Sequence, residues 1–141
     1  MELLEQTISK LQAVRDSLPD IAERVLNESA PQIEDKIIFQ LRQGLKGDGT
    51  HLRNYSPVSV AKFGKPFGPI KLYETGDYYQ GLKAKAFGSV LEIDDTDWKD
   101  AKLTTIYGPE IKALTDQSVQ ELQEEVWLPY MLYEVNRLLS A

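Results

Sequence analysis

A chain of 141 residues is long enough to bury one domain-sized core, and with no cysteine it forms neither a disulfide nor a thiolate metal site. Its net charge of −6 excludes the surplus of Lys and Arg that general nucleic-acid binding needs. No apolar run approaches the ~20 residues of a bilayer span, and Met1-Glu2-Leu3-Leu4-Glu5 is acidic where a signal peptide is basic, so neither a membrane nor a secretory route is expected.

The first element in chain order is a helix over residues 2–18. Leu3, Leu4, Ile8, Leu11, Val14 and Leu18 recur at three- and four-residue steps, and Glu2 and Glu5 sit near the positive end of the helix dipole. Pro19 suits the first turn of a second helix carrying Ile21, Val25 and Leu26. Ser29 offers a cap and Pro31 a further start, leading into Ile33, Ile37, Ile38 and Leu41 before Gly44. Pro31 allows residues 19–43 to be one kinked helix or two.

Residues 44–71 read as a long loop, with Gly44, Gly47, Gly49, Gly64, Gly68, Pro57, Pro66 and Pro69. Within it only Val58 to Phe63 alternates in the manner of a strand. The stretch exceeds the ~12–15 residues usual for an unstructured connection, which marks it as functional or mobile. It interleaves Lys46, Arg53, Lys62, Lys65 and Lys71 with Tyr55, Phe63 and Phe67. Such a mixture can stack bases and hold phosphates, or anchor a protein contact through its aromatics; the acidic total favours the protein contact. The charge is unevenly spread: residues 1–43 hold 5 basic and 8 acidic groups, residues 44–90 hold 7 and 3, and residues 91–141 hold 4 and 11. A basic middle between acidic flanks either pairs internally or lets one copy's loop meet a neighbour's acidic face.

Beyond the loop, Thr75 caps a short helix through Asp77, Tyr78, Tyr79 and Leu82. Residues 83–87 and 89–93 alternate on either side of Gly88 and predict a β-hairpin. Asp94, Asp95, Thr96 and Asp97 introduce a helix containing Trp98, Ala101, Leu103 and Ile106, stopped by Gly108-Pro109. Thr115 or Ser118 caps a long C-terminal helix, Ser118 with Glu121 making a capping-box pattern. Its apolar stripe is Val119, Leu122, Val126, Tyr130 and Tyr133, and Pro129 should bend it. The elements predict a single α+β domain over residues 1–141: N-terminal helices, a small antiparallel sheet with a β-hairpin, and a long C-terminal helix.

Chemistry is sparse. His51 has no second histidine with which to share a metal or a proton. Asp94, Asp95, Asp97 and Asp100 group the hard oxygens that a divalent ion wants, but without the alternating ligands, glycine and glutamate of a calcium loop; helix capping and dipole compensation explain them more simply. Lys46-Gly47-Asp48-Gly49-Thr50 misses the spacing of a phosphate loop, and no G-x-S-x-G elbow or H-E-x-x-H pair occurs. No catalytic residue, cofactor or metal is expected.

One segment carries a family signal. Leu72-Tyr73-Glu74-Thr75-Gly76-Asp77-Tyr78-Tyr79-Gln80-Gly81-Leu82 resembles the "aliphatic, x, x, Thr-Gly, x, aromatic or Leu, x, x, small, aliphatic" stretch of tailed-phage tail-completion and head–tail joining proteins. Leu91-Glu92-Ile93-Asp94 and Leu103-Thr104-Thr105-Ile106-Tyr107-Gly108 resemble later pieces of that family in order. The resemblance implies a structural virion protein, a ring-forming adaptor in the neck or tail, with itself and neighbouring virion proteins as partners and the virion as its location. The intersubunit contact would fall on Tyr55, Lys62, Phe63, Lys65 and Phe67, with Phe63 and Phe67 as anchors. Two other classes stand beside it: a monomeric protein-binding adaptor or inhibitor, and a divalent-metal enzyme using the Asp94–Asp100 cluster.

Overall fold

The computed structural model describes residues 2–65, 68–73 and 76–140. The architecture is α+β. Helix α1 (Glu2–Glu28) and helix α2 (Ala30–Arg42) are followed by a long connection holding helix α3 (Pro57–Phe63). Helix α4 (Asp77–Gly81), strands β1 (Leu82–Phe87) and β2 (Val90–Asp95) and helix α5 (Asp100–Tyr107) come next. A 3-10 turn (Pro109–Lys112), helix α6 (Asp116–Leu122), a π turn (Gln123–Trp127) and helix α7 (Leu128–Ser140) complete the chain. No helix among the described residues is long and apolar enough to cross a membrane.

The core is built on one face of α2. Ile33, Ile37 and Leu41 are wholly buried and meet Leu52, Ile70, Tyr78, Tyr79, Leu82, Ile111 and Leu122. Three- and four-residue spacing puts the α2 members in one stripe, and the long connection supplies two further core residues, Leu52 and Ile70.

Pro19 does not begin a second helix. Helix α1 runs through it, and the break falls at Ser29, which joins α1 to α2 by a single turn. Helical bonding nearly carries across: the Ser29 N–H donates to Val25 at 3.0 Å and the Ile33 N–H to Ser29 at 3.1 Å. What holds α1 continuous is the burial of Ile21 and Val25, both 2% exposed, where α1 packs on α7 and β1; an interior proline costs about 3 kcal/mol, which the burial of two such side chains offsets. Ser29 is no side-chain cap either. Its hydroxyl donates to the Leu26 carbonyl at 3.1 Å and accepts the Trp127 indole N–H at 2.9 Å.

The stretch Val58 to Phe63 is a helix, not a strand. Ser56 accepts the Ser59 N–H at 3.1 Å, Pro57 opens the first turn, and Gly64 closes the last at φ 64°. Capping at both ends outweighs the weak β preference of an alternating Val58 and Val60.

The hairpin forms as the alternation predicts, in the register Leu82↔Asp95 to Phe87↔Val90. One face sets Leu82, Ala84 and Ala86 toward the helices; the other crosses Lys83 with Asp94 and Lys85 with Glu92. The free edge of β1 is closed by side chains. The N–H groups of Ala84, Ala86 and Gly88 donate to Glu34 (3.0 Å), Asn27 (2.8 Å) and Glu23 (2.9 Å), which keeps that edge from pairing with another chain.

At the C-terminal end Thr115 is the cap, accepting the Ser118 N–H at 3.1 Å. The capping box does not form, because the helix starts three residues earlier and the Ser118 N–H is already taken by Thr115; Glu121 pairs with Lys36 instead. Pro129 is accommodated by widening of the helix into a π turn just before it. That insertion rotates the inward face of the turns after it, so Tyr133 of the expected stripe is 66% exposed; Val119, before the insertion, is also exposed, at 37%. Glu134 is buried in place of Tyr133, held by Arg24 at 3.0 Å and Arg137 at 2.8 Å.

Candidate functional site

Residues 44–71 are a built structure. The Leu52 N–H donates to Gly44 (2.7 Å), Lys46 to Thr50 (2.8 Å), Tyr55 to Gly68 (3.0 Å) and Ile70 to Arg53 (2.9 Å). With Leu52 and Ile70 anchored in the core, the intervening α3 is carried outward and buries none of its residues. Phe63 is 72% exposed and Val58 57%, beside exposed Lys62. Tyr55 is half-buried at the foot of this surface, with the Lys65 ammonium 5.7 Å from its ring centre. Lys62 and Phe63 are thus exposed on α3, while Tyr55 and Lys65 flank it, half-buried, with Tyr55 packed against the core; Phe67 lies outside the described residues.

The family-like turn is placed differently. Gly76 takes φ 86°, a conformation that favours glycine, at the start of α4; Thr75 lies outside the described residues. Asp77 is exposed, while Tyr78 and Tyr79 are 2% and 4% exposed and belong to the core. Tyr78 donates its hydroxyl to Asp100 at 2.9 Å, and Tyr79 donates to the Lys71 carbonyl. Burial pushes the Tyr79 phenol up to about 12, and Tyr78, buried and facing Asp100, further still. These tyrosines are packing residues that stay protonated at neutral pH.

The aspartate cluster is committed to turn and helix-start contacts. Asp95 Oδ1 accepts the Asp97 N–H and Asp97 Oδ1 the Lys99 N–H, both at 2.8 Å, in the local pattern of capping carboxylates. The Lys112 ammonium sits between Asp94 (3.1 Å) and Asp100 (3.0 Å), where a cation would otherwise be sought. Burial alone would lower the Lys112 pKa, but its bonds to Asp100 and Asp94 outweigh that and raise it. Among the described residues no group of three or more His, Asp or Glu is placed to hold a metal ion. His51 is exposed, bridged through its backbone to Leu45.

Asp95 is the strained member. Burial, then the charges of Asp100 and Asp97, push its carboxyl up to about 6 against the helping Asp97 N–H, and its Oδ2 is buried with no partner among the described residues. A carboxyl whose pKa is raised by folding is penalised in its charged form, so its contribution improves as pH falls from about 6 toward 4. Asp95→Asn is expected to gain about 1–2 kcal/mol at pH 7, below the ~3 kcal/mol ceiling of a two-unit shift because the amide also lacks a partner. Thermal melts of both proteins from pH 4 to 7 check this. A difference that does not shrink on acidification would refute it.

Sequence reasoning missed Gln40. It is 3% exposed, donates to the Ala113 carbonyl at 2.8 Å, and accepts from the Thr115 N–H at 3.0 Å and the Ser118 hydroxyl at 2.7 Å. It thereby ties α2 to the start of α6. The signal was present: Gln40 stands seven residues after Ile33 and three after Ile37, a polar side chain on an apolar stripe. Above this junction lies a hollow of about 560 Å³, lined by Asp35, Phe39, Gln40, Thr115, Gln117 and Glu121 among others.

Apolar side chains also cover the outer part of α1, where Leu3, Leu4, Ile8 and Leu11 are 45–80% exposed. No family model matches this chain, and no curated protein or solved structure matches it.

Proposed function

We propose that this chain is a non-catalytic structural subunit that assembles with copies of itself, with α3 and its flanking loop as the intersubunit contact. The observation that carries the proposal is α3 itself. It is capped at both ends and tethered by loop hydrogen bonds, yet gives nothing to the core and holds Phe63 and Val58 in solvent beside Lys62. An ordered element that spends its apolar residues outward is the form of a contact site, with an aromatic as anchor. The non-catalytic part is supported by the cluster residues Asp94, Asp95, Asp97 and Asp100 already serving as caps, turn acceptors and partners of Lys112. The more specific reading is a ring-forming adaptor in the neck or tail of a tailed phage, docked on neighbouring virion proteins. It is supported by the resemblance of residues 72–82 and of the pieces that follow.

Sedimentation and light scattering test the contact. The wild type should give one assembled mass, and deletion of residues 58–68 should leave a folded monomer. An unchanged oligomer after deletion would move the contact elsewhere. A wild type that stays monomeric at high concentration would overturn self-assembly and favour the second reading, a monomeric binding module, for which the exposed leucines of α1 are the specific observation.

A further inference from the structure

We propose that the hollow between α2 and α6 is the receptor for α3 of a second copy. This rests on α3 being a contact site, as proposed above, and names what that site meets. The hollow is acidic and carries an apolar wall. Asp35 and Glu121 line it, and Lys36, the one base among its described lining residues, is tied to Glu121. A second hollow of about 370 Å³ shares Leu45, Thr115 and Gln117 with it and adds Asp48 and Asp116. Phe39 stands on the wall at 62% exposure, an apolar surface on the outer side of α2 that this chain leaves uncovered.

The matching surface is α3. Phe63 and Val58 offer the apolar part, and Lys62 and Lys65 offer the cations. At seven residues α3 is about 10 Å long, a size that suits an open notch of this volume. Among the described residues, none from α3 lines either hollow, so a chain does not fill its own notch.

Charge then decides which surfaces meet. Two notches face to face would oppose Asp35, Asp48 and Asp116 with their own copies, and two α3 surfaces would oppose Lys62 with Lys62. Like charges across a contact are repelled, whereas notch against α3 is complementary. The contact therefore joins notch to α3: it ends at a two-fold pair where each copy's notch takes the other's α3, and runs on into a ring or filament where it does not.

Charge reversal tests it with the full chain. The notch variant carries Asp35→Lys with Asp116→Lys, and the α3 variant carries Lys62→Glu; all three sites are exposed, and melting temperature checks that each folds. Each variant alone should assemble at least tenfold more weakly than wild type. Mixed in equal amounts they should assemble again, because each supplies the surface complementary to the other's reversed one. Phe39→Ser, which removes the apolar wall without changing charge, should also weaken assembly and serves if the notch variant fails to fold. A notch variant that assembles as wild type does, while deletion of 58–68 abolishes assembly, would overturn the notch and leave α3 standing. Assembly that ignores the deletion as well would overturn both. Loss in each variant without recovery on mixing would also refute the pairing.

Discussion

Gln40→Leu is expected to lower the unfolding free energy by about 3–5 kcal/mol. Leucine is close in size to glutamine, so no cavity accounts for the loss. The cost lies in what is left behind: the Ala113 carbonyl, the Thr115 N–H and the Ser118 hydroxyl, which all bond the one amide. A buried group left without a partner costs about 1–3 kcal/mol; that applies in full to the Ser118 hydroxyl and in part to the half-buried Ala113 carbonyl and Thr115 N–H. Urea unfolding should show a lower midpoint with an unchanged slope, since the surface exposed on unfolding stays the same. A loss below about 1 kcal/mol would mean that water replaces the amide, and that Gln40 is not what holds α6 to α2.

Gly47→Ala is the second large effect, expected at about 2–4 kcal/mol. The added Cβ would lie 2.4 Å from the Ala113 Cβ and 2.7 Å from the Ala113 carbonyl carbon and oxygen. The backbones are drawn together by the Gly47 N–H, which donates to Glu110 at 2.7 Å. Adding Ala113→Gly should recover part of the loss, because it removes one of the clashing atoms and leaves the carbonyl in place. Thermal melts of the four proteins of that cycle measure it. Full recovery would show that the backbone was free to move.

Gln40 and Gly47 also show where sequence reading stops. The hairpin was legible because alternation on either side of Gly88 is a local signal, and the end of α5 because Gly108-Pro109 is one. The continuity of α1 through Pro19 depends on α7, which lies more than a hundred residues away in sequence. The strand expected at Val58 to Phe63 is a helix for a reason that is itself local: Ser56, Pro57 and Gly64 cap it at both ends, and that outweighs the alternation of two valines. On α3 the exposure of Lys62 follows from its charge, while that of Phe63 does not follow from residue type. Nor does the burial of Tyr78 and Tyr79, since tyrosine serves equally well at either place. The hollow beside Phe39 had no sequence signal, because α2 and α6 meet only through tertiary packing.

The long first helix has a consequence for how anything would bind it. At 27 residues α1 is about 40 Å long, and its buried residues, Ile21 and Val25, lie in its last third. Starting a helix is the unfavourable step, and here the packed base has already taken it; the outer turns need only propagate. The outer turns are therefore held by the helix's own hydrogen bonds, and the base by packing as well. A partner that engages near Leu18 meets turns fixed by the body, whereas one that engages at Leu3 meets turns with only their own bonding.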